Sequence, residues 1–165
     1  MTNTQPKFIS TSVLGLAAFF ALTAMSHADG MTTPPIKDPL VAKECSACHM
    51  LYPAGLLPAR SWTKLTAGLQ NHFGDNAELD AAATAAITAY LTTNAADQAG
   101  RNSKVLRDLP KTAEPLRITE LPWWRRKHDR KDRTSPATLT RKGAKFKGDC
   151  AACHKEAAKG VFDED

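Results

Sequence analysis

The chain has 165 residues, 42% of them hydrophobic and 24% charged, with a formal net charge of +5. That length suits one domain or two small ones and excludes a large multidomain enzyme. The apolar fraction is too high for a disordered chain, and no apolar run reaches the ~18 residues that a bilayer-spanning helix needs.

Residues 1–28 read as a secretory signal peptide. Lys7 supplies the basic start, Val13 to Leu22 the short apolar core, and Ser26-His27-Ala28 the small residues that a signal peptidase reads. Cleavage near Ala28 and residence in the periplasm are the expectation. An uncleaved N-terminal anchor is the lesser reading, because the apolar run is short. The remaining chain keeps His49, His72, His128 and His154, and of its methionines only Met31 and Met50.

In chain order, Met31 falls in a Thr-Thr-Pro-Pro leader expected to be a loose arm. A first helix is expected from Asp38, carrying Leu40, Val41 and the segment Cys45–His49; Pro53, Gly55 and Pro58 mark the loop after it. Ser61 reads as the N-cap of a second helix that lines up Trp62, Leu65, Leu69, His72 and Phe73 before Gly74 ends it. A third helix starts after Asp80 and contains Ile87, Tyr90 and Leu91. Pro110 and Pro115 mark residues 98–120 as a connecting segment, with one helical turn near Val105–Leu109. Pro122 opens a short helix in which Trp124 and His128, four apart, share a face. Ser135-Pro136 starts another helix, and the acidic end Asp163–Asp165 is expected to fray. No alternating apolar pattern is long enough to indicate a sheet, so the expected fold is all-α.

All four cysteines lie in two copies of one pattern, Cys45-Ser46-Ala47-Cys48-His49 and Cys150-Ala151-Ala152-Cys153-His154. In an exported chain four cysteines could form two disulfides or a Cys₄ zinc site. Disulfides have no use for a histidine directly after each pair, and four thiolates already complete a zinc tetrahedron. C-x-x-C-H is instead the attachment signature of c-type haem. Two thiols at that spacing bond to the two vinyl groups on one edge of a porphyrin, and the next residue sets an imidazole under the iron. The expected cofactors are therefore two covalent haem c groups, with Cys45, Cys48, Cys150 and Cys153 as attachment points.

Two irons have four axial positions. His49 and His154 take two. Met50 is next to His49 and cannot reach the opposite face of the same haem, which leaves His72 and His128 as the distal ligands. The expected pairs are His49 with His72 and His128 with His154, and a crossed pairing is left open. Two imidazoles per iron give a six-coordinate centre of lower potential than a His–Met haem and leave no open position, which favours electron transfer over catalysis. No enzymatic activity is expected.

Charge divides unevenly: residues 29–100 carry four basic and seven acidic side chains, residues 101–165 seventeen and ten. Arg125–Arg133 concentrates six of those cations beside Trp123 and Trp124. Such a run suits haem propionates or an acidic redox partner. Nucleic acid is not an expected partner of an exported haem protein.

The stretches Glu44–Pro53 and Gly55–Trp62, together with Asn71-His72-Phe73-Gly74 and Pro115–Glu120 running into Pro122-Trp123, resemble the small dihaem cytochromes c of bacterial periplasms. Ile87, Tyr90 and Leu91 resemble the C-terminal helix of class I cytochromes c. The resemblance implies two small haem-centred helical domains, a class I-like one over residues 29–97 and a smaller one over 121–165, joined by 98–120. It also implies bis-histidine ligation, and electron transfer between a membrane cytochrome b and a soluble cytochrome c of the sphaeroides haem protein type. Two further readings are an electron-entry subunit of a periplasmic reductase and a haem enzyme or gas-binding protein with a displaceable sixth ligand.

Overall fold

The computed structural model describes residues 1–2, 30–98 and 103–163; the signal-peptide expectation falls almost wholly outside them, as do Glu164 and Asp165. The described chain is helical, as expected, with five α-helices joined by 3₁₀ turns: α1 (Pro39–Cys45), α2 (Ala59–Thr66), α3 (Ala81–Thr93), α4 (Pro122–His128) and α5 (Pro136–Lys142). None is long and apolar enough to cross a membrane.

Local sequence explains most helix starts. Asp38 caps α1, its carboxylate accepting from the N–H groups of Leu40 and Val41, with Pro39 at the first helical position. Asp80 caps α3 through Ala83 N–H, and Ser135 caps α5 through Thr138 N–H ahead of Pro136. Gly143 at φ +70 ends α5 in the left-handed region. The first motif is not carried on α1 as a whole: the helix stops at Cys45, and Ser46–His49 turn away from it.

The second helix differs from expectation at both ends. It starts at Ala59 rather than after Ser61, because Asp97, 38 residues on, accepts the Ala59 N–H at 2.8 Å; Ser61 lies fully buried inside the helix. It ends at Thr66, before Gly68, so His72 does not project from an apolar helical stripe. His72 instead follows a 3₁₀ turn at Leu69–Asn71 and precedes Phe73 at φ +60. The turn is closed by His72 N–H to Asp75 O at 2.7 Å and Asp75 N–H to His72 O at 3.2 Å. Helix periodicity is a real signal there, but the backbone after Gly68 closes a 3₁₀ turn in place of a further α-turn.

Met31 does not lie in a loose arm either. β1 (Met31–Thr32) pairs antiparallel with β2 (Val161–Phe162), and Thr33 N–H continues the contact to Gly160 O at 2.8 Å. Gly160 sits at φ +79, and a Cβ there would run into the Thr33 carbonyl. Two residues per strand are too few to leave an alternating pattern in the sequence.

The core gathers Val41, Leu57, Trp62, Ile87, Leu91 and Ala95 with Leu121 and Trp124, so apolar side chains from residues 41–95 and from α4 and its start meet in one cluster. Trp62 satisfies its indole N–H on Ala54 O at 2.8 Å inside that core. The connecting segment is tied down rather than free. Arg60 donates to the carbonyls of Ala113 and Pro110 and pairs with Asp97, Lys64 pairs with Glu114, and Asp108 pairs with Arg126.

Candidate functional site

The first motif leaves α1 at Cys45 and delivers His49 to a half-buried position beside Tyr52, with ring centroids 4.8 Å apart. His49 Nδ1 lies 2.7 Å from the Met50 carbonyl. A carbonyl only accepts, so Nδ1 carries the proton and Nε2 keeps its lone pair for a metal. The His72 turn brings a second imidazole opposite: the two rings are 6.2 Å apart, with planes inclined by 27°.

The second motif is a 3₁₀ turn at Cys150–Ala152, closed by Cys153 N–H and His154 N–H, both donating to Cys150 O. His154 Nδ1 is 2.8 Å from Asp163 O, and its ring lies edge-on to Phe162 at 5.8 Å. The short β1–β2 ladder thus holds the partners of His154. Opposite it, His128 at the end of α4 stacks on Trp124, 4.1 Å away and within 5° of parallel, as their spacing predicts. Its Nδ1 meets Trp124 O at 2.9 Å. His128 and His154 are 6.0 Å apart, with planes inclined by 79°. The rings are therefore paired 49 with 72 and 128 with 154.

Both separations are close to that required by one metal between two imidazoles, the His128–His154 pair falling about 0.2 Å short. A metal–imidazole bond is about 2.0–2.1 Å and a ring nitrogen is ~1.1 Å from its centroid, so rings on opposite sides of one iron lie about 6.2–6.4 Å apart. The protonation states agree. Burial, and then the facing imidazole and Arg117, push His72 below the ordinary histidine value, towards the neutral form that binds metal. Burial does the same to His128, partly opposed by its bond to Trp124 O.

The thiols fit haem attachment better than the alternatives. Burial raises Cys45, and raises Cys150 to about 11, opposite to the depressed thiol of a redox-active C-x-x-C pair. None of the four cysteines forms a disulfide, and among the described residues no cluster of three or more His, Cys, Asp or Glu is placed to hold a metal. A Cys₄ zinc site therefore has no place in this arrangement.

Tyr52 joins the two sites and has no signature in the sequence. Its hydroxyl donates to Gly148 O at 2.8 Å, across 96 residues and two positions before Cys150. A Cβ on Gly148 would press on Tyr52 Oη at 3.3 Å and on the Phe146 ring at 3.2 Å. Phe73 and Arg117 tie the His72 turn to the connecting segment instead, the guanidinium 3.7 Å above the ring.

Two C-x-x-C-H segments in a small helical fold define the class of protein: a c-type cytochrome. The chain belongs to the dihaem cytochrome c family, whose model matches residues 41–162, and it holds two haem c groups. Among solved structures it is similar to the dihaem cytochrome c of Rhodobacter sphaeroides, at 52% identity and TM-score 0.70 over 79% of this chain and 100% of that one. A second structure of the cytochrome purified from that organism gives 49% identity and TM-score 0.63, over 78% and 99% of the two chains. The dihaem cytochrome c of Shewanella baltica OS155 gives 38% and 0.58, over 76% of this chain and 86% of its own. Comparison with curated proteins gives no match. Membership of the dihaem cytochrome c family implies electron transfer.

Proposed function

We propose that this chain is a periplasmic single-electron carrier in which His49 and His72 ligate one haem iron and His128 and His154 the other. Cys45 with Cys48 and Cys150 with Cys153 make the thioether links. The observation that carries the reading is the pair of imidazole separations, 6.2 and 6.0 Å, each of a width that admits one metal. Each haem supplies a one-electron iron couple, of low potential when both axial ligands are imidazole.

The protein's own groups do the rest. Carbonyls of Met50, Trp124 and Asp163 hold the Nδ1 protons of three imidazoles, orienting each ring and strengthening its donor nitrogen. Tyr52 keeps the two motifs adjacent, which favours exchange of an electron between them. The chain divides by function into a signal peptide (1–28), a first haem region (29–97), a connecting segment (98–120) and a second haem region (121–165). Arg125 and Arg130 are exposed beside the second site and suit the acidic face of a soluble cytochrome c, or of another redox protein, receiving electrons from a membrane cytochrome b.

Low-temperature electron paramagnetic resonance of the oxidised protein tests the ligation. Two low-spin signals of different shape are expected, because the ring planes meet at 27° in one pair and 79° in the other. His72→Ala and His128→Ala should each convert one of the two centres to high spin. A variant that keeps both low-spin signals would remove that histidine from the ligand set.

A further inference from the structure

The four imidazoles are not held alike. His49, His128 and His154 each anchor Nδ1 on a backbone carbonyl at 2.7–2.9 Å, whereas the His72 ring makes no hydrogen bond among the described residues. Such an outer bond fixes the tautomer and orientation of a ligating imidazole, and its loss typically weakens metal affinity about 10–100-fold. The backbone points the same way. His72 sits between a 3₁₀ turn and a left-handed phenylalanine, followed by an exposed stretch at residues 73–76. That turn is closed by its own bonds, His72 to Asp75 and Ala77 N–H to Leu69 O, and is clamped to the connecting segment by Arg117 over Phe73. Few buried contacts hold such a loop, so it opens locally at low cost, without unfolding the core. His128, by contrast, is on a helix and pressed flat against the buried Trp124.

We propose that His72 is the exchangeable axial ligand, so that the first haem site opens to a small uncharged ligand such as carbon monoxide while the second stays closed. The proposal rests on the four-imidazole reading above. In the exchange the iron–Nε2 bond to His72 breaks and an iron–carbon bond forms; no electron or proton moves. Swinging the Leu69–Asp75 turn outward frees the position, and the Arg117–Phe73 stack resists that swing.

The test is carbon monoxide binding to the reduced dihaem protein, followed by Soret absorption. The expected result is one equivalent per two haems, bound slowly at a rate set by ligand departure. Arg117→Gln should raise that rate about two- to fivefold with the oxidised spectrum unchanged, as loss of an exposed cation–π contact implies. His72→Ala should bind the same single equivalent at least about tenfold faster, with no slow phase left. Two equivalents, no binding at saturating gas, a slow phase surviving in His72→Ala, or an unaltered rate in Arg117→Gln would each overturn the proposal. The underlying reading fails differently: high-spin haem in the oxidised wild type before gas is added, or a wild-type spectrum in His72→Ala.

Discussion

The two histidines outside the motifs, His128 and His72, reach their places by unlike routes. His128 is the last residue of α4, with a proline start before it and a buried indole flat against its ring. His72 is presented by a half-exposed turn whose ring finds no acceptor among the described residues, and whose neighbour Phe73 is 44% exposed. Helical geometry makes the first placement nearly automatic, since residues four apart share a face. The turn is closed by backbone bonds within residues 69–77, with Arg117 over Phe73 as its contact to the connecting segment. The same side chain is thus held in a stiff setting and a compliant one. Stiffness follows from where the second ring nitrogen and the flanking aromatic go, not from the imidazole itself.

The largest expected effect separates the aromatic neighbours of these two histidines. Trp124→Ala removes a side chain 4% exposed in the core and should cost about 3–5 kcal/mol in denaturant unfolding. Phe73→Ala, at the other site, should cost within about 1 kcal/mol, since its ring packs mainly under an exposed guanidinium. Equal losses would break the contrast between a stiff and a compliant site.

Gly160→Ala should come next. It places a Cβ in the left-handed region, which alone costs about 1–2 kcal/mol, and drives it into Thr33 O. The ladder that holds Phe162 and Asp163 beside His154 would shift, so the second low-spin signal should broaden while the first stays sharp. A change confined to the first signal would show that the ladder does not serve the second site.

Tyr52→Phe should have the smallest effect, about 1 kcal/mol, from loss of its bond to Gly148 O. It removes a link between the sites while leaving each pair of imidazoles intact. Both low-spin signals should survive unaltered, with the loss visible only in unfolding.

Legibility in the sequence followed the range of the interactions involved. The caps Asp38, Asp80 and Ser135, the proline starts of α4 and α5, and the Trp124–His128 pair are all written within four residues of where they act. The start of α2 was not legible, because its capping carboxylate, Asp97, comes from beyond α3. The expected helix through His72 fails for a different reason: its apolar spacing is helical, yet α2 ends at Thr66 and residues 69–77 close a turn on their own backbone bonds. The β1–β2 ladder left no trace, since two residues per strand show no period.

Composition and motif spacing alone determined the cofactor chemistry: thioether attachment needs two thiols and a histidine within five residues, a constraint that is local in the chain. Which imidazole faces which, how firmly each is held, and that Tyr52 brings the two motifs side by side were decided only by the tertiary structure. Those relations span from 23 to 96 residues, and no short-range propensity encodes a contact between groups that far apart.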